Sequence, residues 1–201
     1  KQILLNHVVS GEVRAASVPT ADYVKTLATF GSTSSNISLY AQRSAAGVTL
    51  NTDVKVTTAD VLATNGVVHI VDKVIALPTV VNHALNNPNF TTLVAALTRP
   101  GLTASGQPTY VDILSGAGPF TVFAPTNAAF TALLQELNLT SLDQVDNATL
   151  NAVLQYHVVA GANVLSSQLT NGQEVTTLQT GKFTIDLMNG AKIVDARNRV
   201  T

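Results

Sequence analysis

The chain has 201 residues, 46% of them hydrophobic and 11% charged, with a net charge of −1 and no cysteine. The hydrophobic share supplies a core and excludes a disordered chain, while the near-neutral balance leaves no basic face for nucleic acid or an anionic membrane surface. The missing cysteines exclude disulfides, thiolate nucleophiles and Cys-based metal sites without fixing the compartment.

Leu4-Leu5-Asn6-His7-Val8-Val9-Ser10-Gly11 opens the chain and returns as Leu154-Gln155-Tyr156-His157-Val158-Val159-Ala160-Gly161, 150 positions later. That period is longer than the roughly 20–50 residues of solenoid repeats and has the size of a whole domain. Lys1–Asn6 lacks the apolar stretch and cleavage site of a secretory signal, so a processed chain or an internal segment is expected. No apolar run approaches the roughly 20 residues of a membrane-spanning helix.

Residues 1–78 read as the later part of one unit. Val48–Leu50 and Val54–Thr57 are strand candidates, and Asn65-Gly66 predicts a tight turn. Val67–Ile75, β-branched at alternate and adjacent positions, predicts a buried central strand. Leu77-Pro78 stops it, and a second unit is expected over 79–201.

Thr79 is placed to cap a helix running to Asn86. Pro88 breaks that helix and Asn89 is placed to cap the next, in which Phe90, Leu93, Val94 and Leu97 form one apolar stripe. A helical turn over Tyr110–Leu114 and a Gly116–Pro119 loop precede a short strand at Phe120–Ala124. Asn127 is read as the cap of a helix with Phe130, Leu133, Leu134 and Leu137 on one face. Helical patterns follow over Leu142–Val145 and Ala148–Tyr156. Strands are predicted from His157 and over Val175–Leu178, Phe183–Leu187 and Lys192–Asp195, with Asn189-Gly190 as a hairpin turn. Val24–Leu27 aligns with Val175–Leu178 as a further part of the repeat.

Thr121-Val122-Phe123-Ala124-Pro125-Thr126-Asn127-Ala128-Ala129-Phe130 resembles the first signature block of the fasciclin (FAS1) domain. Tyr156-His157 resembles the central Tyr-His pair of that family, and Gly66, His69 and Asp72, within Asn65–Asp72, resemble its closing block. The resemblance covers nearly the whole chain. It implies an α+β fold, a β-wedge of two sheets with packed helices, in tandem. Residues 1–78 are then the C-terminal part of a first FAS1 domain, and 79–201 a second one lacking its closing strand, which exposes unpaired edges. The resemblance also implies an extracellular, cell-surface-attached or periplasmic adhesion or matrix-contact module, not an enzyme, whose partners are cell-surface or matrix proteins or glycans. Two departures stand out: Asn127 replaces the commoner Asp, and Asn6 stands where Tyr is expected before His7.

The four histidines, His7, His69, His83 and His157, show no metal-ligand spacing and no neighbouring acidic cluster. His7 and His157 read as one structural position seen twice and His69 as lying in a buried strand, and each of these three rings is expected to satisfy a buried backbone group. No nucleophile elbow, Ser-x-x-Lys or Walker loop is present, and Gly116-Ala117-Gly118 lacks the third glycine of a dinucleotide fingerprint. No catalytic residue, metal or cofactor is expected.

Two elements stand as adhesion candidates by family likeness: Asp112-Ile113, which resembles an integrin-contact element of animal members, and Tyr156-His157. The plainer reading makes Ile113 core and Asp112 a solvated acid. Sequons begin at Asn36, Asn89, Asn138 and Asn147, in a composition so rich in Asn, Ser and Thr that they carry little weight. The expected function is adhesion through a neutral polar surface. The alternative is a structural, self-associating protein completed by strand complementation or domain swapping. An enzyme or small-molecule carrier is disfavoured by the scarcity of titratable groups.

Overall fold

The computed structural model describes residues 1–31, 33–188 and 190–195. Its helices and several separate antiparallel sheets make an α+β architecture. The chain divides into two compact units, Lys1–Asn87 and Pro88–Thr201. The division falls after Asn87, so the helix begun by Thr79 belongs to the first unit.

The first unit opens with a single helical turn, α1 (Gln2–Leu5), followed by β1 (Asp22–Thr29), β2 (Asn36–Ser44), β3 (Gly47–Leu50), β4 (Val54–Ala63) and β5 (Gly66–Val71), and closes with α2 (Val80–Asn86). The strands form one sheet in the order β1-β2-β3-β4-β5. Strand alternation in β2 sends Leu39 and Ala41 to one face, where they pack with Val18 and Val48 into this unit's core. Tyr40, on the other face, is buried with its ring 5.1 Å from Tyr23. Asn51 takes up a left-handed conformation (φ 49°) between β3 and β4, tolerable for Asn. Its carboxamide oxygen accepts from Tyr40 N at 2.9 Å, and its own N–H donates to Tyr40 O at 2.7 Å.

Two sequence expectations for this unit change, and two strands had none. The run from Val67 is not a buried central strand. Among the described residues β5 is the sheet's edge, paired only with β4, and Val68 and Ile70 face solvent. A run of β-branched residues reports strand propensity, but strand order decides how many faces are covered. The hairpin turn is Thr64-Asn65, with Gly66 already paired to Ala63 as the first residue of β5. The long strands β1 and β2 were not marked by their own pattern: polar and apolar positions mix in both, because Thr26 and Asn36 are used for hydrogen bonds inside the sheet. The Thr79 cap is present, reciprocated by Asn82.

The second unit runs α3 (Thr91–Leu97), α4 (Tyr110–Leu114), β6 (Phe120–Val122), α5 (Asn127–Glu136), α6 (Asn147–Tyr156), β7 (Val158–Ala160), β8 (Glu174–Thr176), β9 (Lys182–Asp186) and β10 (Lys192–Val194). It holds a β6-β7 pair and a β10-β9-β8 sheet. Val159 and Val175, Phe183 and Ile185 form its core, with Phe123 and Tyr156 packed against it. The stripe on α3 turns inward as its spacing predicts, with Leu93 and Leu97 buried. Arg99 ties the α3 end to the segment before α6 by donating to Val145 O at 2.6 Å and to Leu142 O.

Two caps differ from expectation. Thr126, not Asn127, caps α5, its hydroxyl accepting from Ala129 N at 3.3 Å. Asn127 is the first helical residue, and its carboxamide accepts from Thr92 N (2.9 Å) and donates to Pro88 O (2.9 Å), fixing the α3 entrance. The N-cap position of α3 is Phe90, with no side-chain cap; Asn89 lies in the preceding 3-10 turn. Asn189 of the expected Asn189-Gly190 turn lies outside the described residues, but the strands flanking it pair, Asp186 opposite Lys192.

Candidate adhesion surface

The histidine string has the same local geometry in both units. His7 Nδ1 donates to Ile3 O at 2.8 Å, and His157 Nδ1 donates to Val153 O at 2.8 Å. Leu27 N donates to Val8 O at 2.8 Å, and Leu178 N to Val158 O at 2.7 Å. Gly11 and Gly161 both turn the chain at positive φ, 88° and 78°, a conformation open to glycine at no steric cost.

His7 Nε2 accepts from Ile75 N at 2.9 Å, so the ring bridges two backbone groups. His69 does the same: Nε2 donates to Val13 O at 2.8 Å while Nδ1 accepts from Asp60 N at 3.3 Å. Asp60 sits at a bulge with φ 58° and also receives Ala15 N on its carboxylate at 2.9 Å. Asp72 accepts from Lys55 N at 2.8 Å and so extends the β4–β5 ladder. These are structural tasks. Among the described residues no group of three His, Cys, Asp or Glu side chains is arranged to hold a metal ion.

The residue before the histidine differs. Asn6 is fully buried, donates to Ile75 O (3.3 Å) and Ala76 O (3.1 Å), and accepts from Thr26 Oγ1 (3.2 Å). Tyr156 is half-buried: its ring packs edge-on to Phe183 with centroids 6.1 Å apart, and its hydroxyl donates to Lys182 O at 2.8 Å. Gly181 makes room for that ring, since a Cβ there would lie 3.1 Å from Tyr156 Cε2.

Asp112 closes a capping box on α4. Its carboxylate accepts from Thr109 Oγ1 (2.7 Å) and Thr109 N (2.9 Å), and its own N–H donates back to Thr109 Oγ1 (3.2 Å). Those bonds, the hydroxyl's first, hold its pKa below the usual carboxylate value. Ile113 is half-buried. Thr121 accepts from Val164 N (2.8 Å) and donates to Ala162 O (2.9 Å), Phe123 meets Phe183 edge-on at 5.1 Å, Pro125 leads into the Thr126 cap, and Phe130 is buried.

One tyrosine connects the helices of the two candidate elements. Tyr110, the first residue of α4, is buried and hydrogen-bonds Asn151 and Gln155 of α6, the latter at 2.9 Å. Burial raises its pKa. The helix that carries Asp112-Ile113 is thereby tied to the helix that ends in Tyr156-His157. A lone Tyr opening a five-residue helix gives no sequence signal of partners about 40 positions away; the i, i+4 pair Asn151/Gln155 was the available clue.

A family model of the fasciclin domain matches residues 1–78 and 88–201. The chain belongs to the fasciclin family. Among curated relatives, immunogenic protein MPB70 of Mycobacterium bovis is 41% identical over 105 residues, covering 49% of this chain and 50% of that protein. The cell surface glycolipoprotein MPB83 of the same species is 42% identical over 80 residues, covering 39% of this chain and 33% of its own length. These matches span half or less of the mycobacterial proteins. The solved FAS1 domain pair of the insect cell adhesion molecule Fasciclin I superposes with a TM-score of 0.54 at 17% identity, covering 97% of this chain and 70% of that one, which shows the shared fold. No helix among the described residues is long and apolar enough to cross a membrane.

Proposed function

We propose that this fasciclin chain is an extracellular or surface-attached adhesion module that binds a protein or glycan partner and performs no catalysis. The observation that carries the reading is the α4–α6 tie through Tyr110, which hydrogen-bonds the helix bearing Asp112-Ile113 to the helix ending at Tyr156-His157. Membership in a family that includes an insect cell adhesion molecule and a mycobacterial cell-surface glycolipoprotein supports it. With 11% charged residues, recognition rests on hydrogen bonds and apolar contact, not on charge steering.

The test is binding of the whole chain to panels of immobilised matrix proteins and glycans at low and high salt. Association is expected to change little with ionic strength, and a steep loss at high salt contradicts the reading. Asp112→Glu keeps a capping-box residue, and Ile113→Ala removes apolar contact. Loss of binding in both, with unfolding midpoints preserved, is the supporting result; unchanged binding in both removes Asp112-Ile113 from the surface.

A further inference from the structure

The two fasciclin matches end at residue 78 and resume at residue 88. The segment between them is no loose tether: Thr79 caps α2, and Asn82 returns the bond. α2 has seven residues, and an isolated helix of that length is marginal at best in water. Its order comes from docking on the first unit, where Val81 and Ala84 are buried while Leu85 stays exposed. Three bonds hold its C-terminal turn. Tyr23 Oη donates to His83 O (3.4 Å), Asn87 Nδ2 donates to Tyr23 Oη (3.2 Å), and Thr52 Oγ1 donates to Asn86 Oδ1 (3.0 Å).

His83 sits at the centre of this contact. Its ring packs edge-on to Tyr23 of β1, with centroids 5.3 Å apart. Its Nδ1 is sealed from solvent by the chain itself and has no hydrogen-bond partner among the described residues. An imidazolium carries N–H on both ring nitrogens, so protonation leaves a buried Nδ1–H with no acceptor, and a buried charge without a partner is costly. α2 holds no other titratable side chain. From β1 the facing group is Tyr23, with Tyr40 of β2 behind it at 5.1 Å. Asp22 is exposed, and its carboxylate accepts from Tyr23 N at 2.7 Å. Asp53, next to Thr52, pairs with Lys73 at 3.4 Å. Burial lowers the His83 pKa, with no charge contributing.

We propose that α2 is an acid-released clamp: a proton taken up by His83 frees residues 79–87 from the first unit and turns a docked connector into a flexible one. The proton comes from solvent, and no covalent bond changes. The docked helix spans about 10 Å, and the same residues released reach up to about 30 Å. Acid thereby lengthens the tether between the two units. Tyr23 is the receiving half of the clamp, since its ring meets the imidazole and its hydroxyl holds both His83 O and Asn87. This inference is independent of the adhesion reading and stands or falls apart from it.

The experiment uses the whole chain, isotopically labelled, and amide hydrogen exchange corrected for its intrinsic pH dependence. Protection at His83 N, which donates to Thr79 O at 3.2 Å, is expected to fall up to about tenfold per pH unit below about pH 6.5, until α2 exchanges as free chain. Tyr40 N and Arg43 N, bonded to Asn51 Oδ1 and Pro19 O, are expected to stay protected at that pH. His83→Phe keeps a ring against Tyr23 and takes no proton, so its α2 is expected to hold constant protection over the same range. Asp22→Asn is expected to leave the pH profile as it is. Three results overturn the proposal: α2 protection that does not change with pH, protection lost only together with that of Tyr40 and Arg43, or a fall with pH that persists in His83→Phe. A profile abolished by Asp22→Asn overturns it as well.

Discussion

The two histidine strings of this chain are one experiment run twice. In both units an imidazole at the end of a helical turn bonds the carbonyl four residues back, and in both a following valine carbonyl receives a leucine N–H from the next strand. The second unit lays β6 along the outer edge and seals Leu154 and Val158, whereas the first leaves Leu4 and Val8 in solvent. The residue before the histidine tracks this difference. Tyr156 is an aromatic packed on Phe183, while Asn6 is a buried amide that stitches α1 to Ile75 and Ala76. The lesson is that the string encodes its own backbone geometry, while burial is set by what lies across the edge.

The largest effect that can break this comparison is a matched pair of truncations. Leu154→Ala deletes a buried side chain and is expected to cost about 2–5 kcal/mol. Leu4→Ala, at the repeated but uncovered position, is expected to stay within about 0.5 kcal/mol. Urea unfolding of the two variants decides; equal costs would mean that Leu4 is covered.

A smaller effect sharpens the contrast at the next position. Asn6→Ala leaves Thr26 Oγ1 and the carbonyls of Ile75 and Ala76 without the Asn6 side chain, and is expected to destabilise the first unit by about 1–3 kcal/mol. Tyr156→Phe removes only the bond to Lys182 O while keeping the ring against Phe183, for an expected loss of about 1 kcal/mol or less. Thermal or urea unfolding with exchange readout in each unit checks both values.

Caps give a third comparison. Thr126→Ala removes the α5 cap and is expected to cost about 1 kcal/mol. An unchanged unfolding midpoint in Thr126→Ala would reverse the assignment of the cap to Thr126, whereas Asn127→Ala tests the bonds to Thr92 and Pro88.

Last and smallest is a pH effect confined to the first unit. His83 packs edge-on to Tyr23, its Nδ1 is buried without a partner among the described residues, and burial lowers its pKa below 6.5. Between the folded value and about 6.5 the unfolded chain binds the proton and the folded one does not, so stability rises with pH there. Unfolding midpoints of the first unit are expected to fall as the pH is lowered through about 6.5, and His83→Gln is expected to remove that part of the slope. A slope unchanged in the variant assigns it elsewhere.

Much of this was legible in the sequence, and the gaps have physical causes. Helix stripes read in part: Leu93 and Leu97 of α3 and Phe130 of α5 turn inward, but Leu137, expected on the same face as Phe130, is the exposed C-cap of α5. His7, His69 and His157 are legible as satisfying backbone groups because neither metal spacing nor acids accompany them, whereas nothing in the sequence marks the buried Nδ1 of His83. Edge against centre was not legible, since Val67–Val71 carries the same β-branched composition in either place, and only the order of β4 and β5 in the sheet exposes Val68 and Ile70. Cap identity slipped by one residue because Thr126 and Asn127 are both good capping residues, and tertiary bonds to Thr92 and Pro88 claim Asn127. The Tyr110 tie escaped because long-range hydrogen bonds leave no periodicity.

The most direct measurement is native-state amide hydrogen exchange of the unmodified chain, comparing Val9 and Gly11 with Val159 and Gly161. The account predicts strong protection at Val159 and Gly161, where β6 pairs, and rapid exchange at Val9 and Gly11 under identical conditions. Matching protection at the two pairs would contradict it, because the outer edge of the first string would then already be occupied.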